Sequence, residues 1–232
     1  MLYYYGIDWF YIILVLPALI FCMVAQARVN STFSKYSSVP TRRGLTGHDA
    51  ARAMLDREGL RYVRIECIRG RLTDHYDPRT ETVCLSDAVY NSTSVAAVGV
   101  ACHEAGHAIQ HAEEYGPLRV RTALLPAVTF ASRWWIFIFL IGALLSIAPL
   151  AYAGVVIFGV TTLFQLATLP VEFNASRRAL AAIEASGVVS RDELASSRRV
   201  LSAAAMTYVA ALALSLAHFI RLLARVSNLR DD

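Results

Sequence analysis

The run Val98-Gly-Val-Ala-Cys-His-Glu-Ala-Gly-His-Ala-Ile-Gln-His111 contains the pattern His-Glu-x-x-His at residues 103 to 107. On an α-helix, residues four apart lie on one face, so His103 and His107 can offer imidazole nitrogens to a single metal ion, with Glu104 beside it. Zinc accepts neutral imidazoles in a tetrahedral shell, and a catalytic zinc site keeps one position open for water. The spacing therefore predicts two metal ligands and a general base.

The alternative interpretation of this pattern is a pair of surface histidines on an amphipathic helix. The flanking sequence argues against it, because Val95 to Cys102 is an uninterrupted run of apolar or small residues. A helix with such a run enters a protected core, where imidazoles and a carboxylate need polar partners. A metal ion supplies those partners, so we favour the metal site.

A third ligand has to come from elsewhere in the chain. His111 lies two turns beyond His103, a distance of about 12 Å along a straight helix, which is too far for a shared ion. A metzincin would have Gly at 110 and His at 113, whereas this chain has Gln110 and Glu113. That alternative is therefore excluded.

Among distant carboxylates, Glu172 is the first choice. After Glu114 the chain has no Asp or Glu until Glu172, which follows a long apolar region. If Glu172 is a ligand, Ser176 lies one turn later on the same helical face and Asn174 lies close by. Either side chain could orient a ligand histidine from outside the metal's own shell.

Several segments are apolar enough to lie in a membrane. Of the 232 residues, 56% are hydrophobic, and a bilayer core takes about 20 mostly apolar residues as a helix. Ile7 to Ala27 fits that length, and no Lys or Arg precedes Arg28, so we interpret it as a retained anchor rather than a signal peptide. The region 123–170 is long enough for two crossings with a break near Pro149.

A fourth crossing fits Val200 to Leu222. His218 lies inside this segment, where a histidine is a candidate functional residue. Its position near the helix end favours contact with lipid headgroups instead. Four crossings place residues 28–122 and 171–199 on one side of the membrane.

The charges that flank the crossings predict which side that is. Basic residues near membrane helices favour the cytoplasmic side. The arginines that flank the crossings on the side of residues 28–122 and 171–199 are Arg28, Arg119, Arg121, Arg177, Arg178, Arg198 and Arg199. The pI of about 9.0 then reflects this topology and contact with anionic lipid. No nucleic-acid-binding module is visible. The four cysteines have no paired spacing, and we interpret them as reduced core residues.

A small mixed domain lies between the anchor and the motif. After Thr46, residues Ala50 to Glu58 predict a short capped helix, and Arg61 to Ile68 predicts a strand. Leu72 to Leu85 predicts a hairpin that turns at Asp77-Pro78. A strand beside the metal-bearing helix could hold an extended peptide by backbone pairing.

Two further predictions concern a histidine and the second half of the chain. His75, on the hairpin, could contact substrate, although a surface histidine beside a turn is the commoner case. Phe173 to Ala185 predicts a separate helix ended by Gly187. Ser190 and Glu193 form a capping box that begins the helix of the last crossing.

The fold class that follows is a membrane α-helical protein with a small α+β zincin-like catalytic domain and about four transmembrane helices. The predicted segments are an N-terminal anchor (1–27), the catalytic region with the motif helix (28–122), a transmembrane hairpin (123–170), a helix with the third ligand (171–199), and the last transmembrane helix with its tail (200–232).

Three stretches together are similar to a known family. The motif helix, Leu169-Pro-Val-Glu-Phe-Asn-Ala-Ser-Arg-Arg178 and Asp74-His-Tyr-Asp-Pro78 resemble the YugP-like neutral zinc metallopeptidases of bacterial membranes. The chain is more distantly similar to the membrane gluzincins that include the heat-shock membrane protease and the prenyl-protein endopeptidase. The resemblance implies one zinc ion bound by His103, His107 and Glu172, with Glu104 as base. This sequence differs from the wider pattern at Ser176, where the related proteases have Asp.

The expected function is that of a membrane-bound zinc endopeptidase in the bacterial plasma membrane, with its catalytic domain in the cytoplasm. Its expected partners are peptide or protein substrates, membrane proteins among them, and the lipid bilayer. A site-2 type intramembrane protease is a poor match, because its second motif contains Asp-Gly and this chain has none. A catalytically silent zinc-containing scaffold or regulatory protein is the other alternative, and Glu104 argues against it because a purely structural site needs no base.

Overall fold

The computed structural model of the chain describes residues 8–186 and 190–228. A π-helical turn, Tyr11–Val15, leads into the first α-helix. The helices are α1 (Leu16–Ser37), α2 (Gly47–Arg57), α3 (Asp87–Tyr90), α4 (Val95–Ala112), α5 (Gly116–Leu144), α6 (Ala148–Ser186) and α7 (Arg191–Asn228), and the strands are β1 (Arg64–Ile68), β2 (His75–Asp77) and β3 (Thr82–Ser86). The predicted helix end at Gly187 lies outside the described residues.

Four helices in the described part are long and apolar enough to cross a membrane, as the sequence predicts. They are Tyr11–Ser37, Gly116–Leu144, Ala148–Ser186 and Asp192–Ser227. The architecture is therefore that of a membrane α-helical protein with a small mixed sheet. The break near Pro149 is confirmed, because α5 ends at Leu144 and α6 begins at Ala148.

The chain forms two compact units. One comprises Met1–Ala25, Arg119–Leu169 and Thr207–Asp232, and the other comprises Gln26–Leu118 and Pro170–Met206. In the first unit, Asp8 forms ion pairs with Arg221 at 2.9 Å and Arg225 at 2.7 Å. These pairs join the beginning of the N-terminal helix to the end of α7. They give the carboxylate and both guanidinium groups a counter-charge in apolar surroundings.

The second unit contains a three-stranded sheet in the order β1-β3-β2. β3 is the buried central strand; it pairs parallel with β1 and antiparallel with β2. The antiparallel pair confirms the predicted hairpin. The predicted strand start at Arg61 is wrong, because β1 begins at Arg64. The Val63 amide donates to the Leu60 carbonyl in a turn. The Arg52 side chain also donates to the carbonyls of Leu60 and Val63, which keeps these residues out of the strand.

Capping residues fix where α2 and α4 begin. Thr46 and Asp49 form the capping box of α2, which begins at Gly47, three residues earlier than predicted. The Ser94 hydroxyl accepts a hydrogen bond from the Ala97 amide at 3.2 Å and caps α4. The apolar face of α4 packs into the main core, where Ala97, Ala101 and Ala105 are fully buried. The core thus fixes the helix that contains the histidine pair.

α6 corrects one prediction. Residues 173–185 do not form a separate helix; α6 runs without interruption from Ala148 to Ser186 with Pro170 inside it. A proline removes one helical hydrogen bond, yet packing holds the next residues, because Val171 and Ala175 are fully buried. The helix that carries Glu172 is therefore a continuation of an apolar segment.

The predicted capping box at the start of α7 is confirmed. The Ser190 amide donates to Glu193 Oε2 at 2.5 Å, and the Glu193 amide donates to the Ser190 hydroxyl at 3.3 Å. The four cysteines are free thiols. Cys102 is buried as expected, whereas Cys67 is exposed on β1, so the core assignment was wrong for that residue.

Candidate metal centre

The structure brings His103, His107 and Glu172 together. The two histidines lie one turn apart on α4, with ring centroids 4.8 Å apart and ring planes nearly perpendicular. Glu172 reaches them from α6 and is buried. One ligand atom of each residue lies within 4.8 Å of the others. Residues nearly seventy positions apart thus converge at one point.

The distances from the Glu172 carboxylate to the two imidazoles match a zinc shell. Glu172 Oε2 lies 3.3 Å from His103 Nε2 and 3.6 Å from His107 Nε2. Zinc bonds of about 2.0–2.1 Å in a tetrahedron place neighbouring ligand atoms about 3.3–3.4 Å apart. Two imidazoles and one carboxylate are also the donor set of known catalytic zinc sites. The residues present therefore fit a zinc ion with a fourth position left open.

A hydroxyl group orients the imidazole of His103. Ser176 Oγ lies 3.1 Å from His103 Nδ1. In the tautomer that binds a metal through Nε2, Nδ1–H donates to this hydroxyl and the Nε2 lone pair faces Glu172. Ser176 is one turn beyond Glu172 on α6. The same helix therefore supplies the carboxylate and the hydrogen-bond partner of the first histidine.

A fully buried amide orients His107. Gln110 is 0% exposed, and its Oε1 accepts a hydrogen bond from His107 Nδ1 at 3.0 Å. Its Nε2 donates to the Val171 carbonyl at 2.8 Å and to Asn174 Oδ1 at 2.9 Å. One side chain on α4 thus fixes the ring of His107 and binds the backbone next to Glu172.

An ion pair extends this network to the surface. Arg178 Nε donates to Asn174 Oδ1 at 2.8 Å, and its two terminal nitrogens donate to both carboxylate oxygens of Glu113 at 3.0 and 2.5 Å. The Arg178 guanidinium holds the pKa of Glu113 below its ordinary value. This bidentate pair fastens the C-terminal end of α4 to α6.

A glycine allows the two helices to approach closely. A Cβ atom added at Gly106 would lie 3.0 Å from the Ala175 carbonyl oxygen and 3.3 Å from Ala175 Cα. Gly106 lies between the two motif histidines, and Ala175 lies between Glu172 and Arg178. The absence of a side chain at residue 106 therefore sets the spacing between the two halves of the cluster.

Glu104 is nearly buried beside the cluster, at 9% exposure. Within the described residues its carboxylate has no hydrogen bond or ion pair. Burial lowers the pKa of His107, but the nearby carboxylates of Glu172 and Glu104 outweigh it, and the pKa lies above its ordinary value. Glu104 directly follows His103 on α4, so it lies beside the cluster, and its carboxylate oxygens are available to accept a proton.

The other candidates fall into two groups. Asn174 and Ser176 lie in the hydrogen-bond network around the cluster, as described above. His75 is exposed on β2 and its Nδ1 lies 2.9 Å from the Thr73 carbonyl; it is not part of the three-residue group, and a contact with substrate stays a prediction. His218 belongs to the other compact unit.

Sequence reasoning missed two features of the site. Gln110 was considered only as a mismatch to another motif; its place one turn after a ligand histidine, at the buried end of an apolar helix, was the available signal. His111 was set aside as too distant, and its Nδ1 lies 2.9 Å from the Tyr76 hydroxyl. Burial raises the pKa of Tyr76 to about 12. This contact fixes the edge strand β2 against α4.

Comparison with known proteins identifies the protein family to which the chain belongs. Residues 11–227 match the model of a family described as "putative neutral zinc metallopeptidase". The chain belongs to this family of zinc metallopeptidases.

A curated relative from Bacillus subtilis (strain 168) covers nearly the same extent. It is named "Putative membrane protease YugP" and is 46% identical over 222 residues, which are 96% of this chain and 99% of the relative. Together with the four apolar helices, this similarity supports a membrane protein with a protease role. No solved structure matches the chain.

Proposed function

We propose that the protein is a membrane-bound zinc endopeptidase with a single zinc ion held by His103, His107 and Glu172. The observation that carries the proposal is the convergence of the Glu172 carboxylate on both Nε2 atoms, at 3.3 and 3.6 Å. A buried carboxylate with that geometry, beside a partner-free Glu104, is the arrangement required for metal-assisted hydrolysis.

The chain's own residues transfer the proton and orient the zinc ligands. Zinc supplies a Lewis acid for the scissile carbonyl and makes water acidic enough to react near neutral pH. Glu104 accepts the proton of the attacking water and passes it to the leaving amine. Ser176 and Gln110 hold the Nδ1–H groups of the two histidines, so that both Nε2 lone pairs point to one place.

The substrate is an extended segment of a peptide or protein. β2 lies at the edge of the sheet and is fixed against α4 through Tyr76 and His111. An edge strand can pair with an extended chain through backbone hydrogen bonds, which reads side chains loosely. Since the enzyme is a membrane protein, membrane proteins are the natural substrates.

The cleavage test uses Glu104→Gln in the purified full-length protein. We expect this variant to keep its zinc and to lose cleavage of an unfolded protein such as casein by at least about a hundredfold, the scale of a lost general base. Glu66→Gln is the matched control, because Glu66 is an exposed carboxylate on β1 that forms an ion pair with Arg64 at 3.3 Å and lies outside the cluster. The control should cleave as fast as the natural sequence.

Two results would contradict the mechanism. Cleavage by Glu104→Gln at the normal rate would remove Glu104 from the role of base. A zinc-loaded natural protein that cleaves no substrate at all would favour the catalytically silent scaffold instead.

We place the protein in the bacterial plasma membrane with the unit that holds the cluster in the cytoplasm. The arginines that flank the crossings on that side support the assignment. Cys67 is exposed in this unit and provides a test. A membrane-impermeant maleimide should label Cys67 in lysed but not in intact cells, with Cys67→Ser as the control for the other thiols. Labelling of intact cells at Cys67 would reverse the orientation.

A further inference from the structure

A basic groove lies in the same compact unit as the candidate metal centre but involves other residues. It runs between the second half of α1 and the first half of α7 and has a volume of about 830 Å³. Its lining residues lie between 28 and 36 on α1 and between 194 and 206 on α7. None of them takes part in the hydrogen-bond network of the cluster.

The groove is strongly positive. Its charged lining residues are Arg28, Lys35, Arg198 and Arg199, and no Asp or Glu lines it. Thr32 and Ser202, which carry hydroxyl groups, also line it. Arginine guanidinium groups and hydroxyls are hydrogen-bond donors suited to the oxygens of a phosphate.

Most of these cations have no counter-charge in the part of the chain that the structure describes. Arg28 and Arg198 form no ion pair or side-chain hydrogen bond there. The Lys35 ammonium group lies over the ring of Tyr36, 5.5 Å from its centre. Arg199 is different, since its Nη1 donates to the hydroxyl of the buried Tyr36 at 2.9 Å. One guanidinium is thus fixed at the wall and three cations are available to a ligand.

The position of the groove along the helices suggests the ligand. Arg28 directly follows the apolar run Ile7–Ala27, and Arg198 and Arg199 on α7 directly precede the apolar run Val200–Leu222. The headgroup layer is about 5–8 Å thick on each side of the hydrocarbon core, and Arg28 and Thr32 are about 6 Å apart along a helix. The cations therefore begin at the level of lipid headgroups.

We propose that this groove binds the phosphate of an anionic phospholipid headgroup. The guanidinium groups and hydroxyls hold the phosphate, while Leu194, Ala203 and Met206 offer apolar contacts to the first acyl carbons. Anionic lipids are the phosphates available at this depth, and each basic residue near the surface contributes about 1 kcal/mol to their attraction. The site is separate from the proposed peptidase activity and does not depend on it.

The test measures lipid binding to the detergent-purified full-length protein by titration with native mass spectrometry. We expect phosphatidylglycerol to bind more tightly than phosphatidylcholine. The double variant Arg28→Gln/Arg198→Gln should weaken phosphatidylglycerol binding about twenty-five-fold, which follows from two basic residues at about fivefold each. Arg28→Lys/Arg198→Lys, which keeps the charge, should retain most of the binding.

The control is Arg61→Gln/Arg69→Gln, because both arginines are exposed in the same unit and lie outside the groove. This pair should bind lipid like the natural sequence. Equal losses in both double variants, or equal binding of the two lipids, would overturn the proposal. Competition by glycerol phosphate or inorganic phosphate at lipid-like concentrations would indicate a soluble anion, and competition by an acidic peptide alone would indicate a protein partner. Binding by Glu104→Gln should be unchanged, which separates this result from a failure of the peptidase assignment.

Discussion

The two histidines of the candidate metal centre are held by different means. His103 has one hydroxyl partner, Ser176, which lies on the opposite helix. His107 has an amide partner on its own helix, Gln110, which is fully buried and donates in turn to Val171 and Asn174. One half of the site therefore depends on a single hydrogen bond and the other on a connected network.

This difference indicates how the site is assembled. A neutral hydrogen bond contributes about 0.5–1.5 kcal/mol, so Ser176 can orient a ring but can do little to hold two helices together. The network around Gln110 joins α4 to α6 at the backbone of Val171 and ends in the bidentate pair of Arg178 and Glu113. We infer that the His107 half fixes the position of Glu172 and the His103 half adjusts to it.

Among changes to residues around the ligands, the largest effect is expected from Gln110→Met, which keeps the side-chain volume and removes the polar contacts. His107 loses its acceptor and the Val171 carbonyl loses a donor. Removal of such an orienting group typically lowers metal affinity about 10–100-fold. Zinc competition with a chromophoric chelator measures the change. An affinity within twofold of the natural sequence would mean that the network does not support the site.

A smaller effect is expected from Gly106→Ala, which tests the spacing of the helices. The new Cβ would meet the Ala175 carbonyl at 3.0 Å, and such overpacking typically costs about 1–3 kcal/mol. We expect a lower melting temperature in detergent and weaker zinc binding.

Gly99→Ala is the matched control for this change on the same helix. Its Cβ would lie 3.7 Å from Ser197 Cβ, an ordinary contact, and alanine favours a helix over glycine by about 1 kcal/mol. The control should melt no lower than the natural sequence. If both glycine variants behaved alike, the close approach at residue 106 would have no special role.

The smallest effect is expected from Ser176→Ala. Loss of one neutral hydrogen bond to His103 should weaken zinc binding about two- to tenfold, the range that corresponds to about 0.5–1.5 kcal/mol. Ser176→Asp should do the reverse, because a carboxylate accepts a stronger hydrogen bond from the imidazole. The same chelator competition measures both. A loss in Ser176→Ala as large as that in Gln110→Met would abolish the distinction between the two halves.

Much of the fold could be predicted from local patterns. The lengths of the apolar segments predicted four membrane crossings, and the Asp77-Pro78 turn predicted the hairpin. Ser190 and Glu193 predicted where α7 begins. Each of these depends on residues that are neighbours in sequence. The convergence of Glu172 on the motif histidines was reached differently, by the scarcity of carboxylates between residues 114 and 172 and by family resemblance.

Three of the failures have a common physical cause, whereas the early start of α2 is set by its local capping box of Thr46 and Asp49. α6 continues through Pro170 because Val171 and Ala175 are fully buried. β1 starts late because Arg52 binds two carbonyls from eight and eleven residues away. Gln110 belongs to no spacing rule, and its role depends on contacts with residues 171 and 174. Contacts between distant segments decided each case, and local patterns contain no information about them.

The central claim is that the Glu172 carboxylate completes a zinc site begun by two imidazoles. The most direct test is the zinc content of purified protein, measured by mass spectrometry of the metal, for the natural sequence and for Glu172→Ala. The account predicts one zinc per chain in the first and a large loss in the second, with Glu66→Ala retaining its zinc. Full zinc occupancy in Glu172→Ala would contradict it.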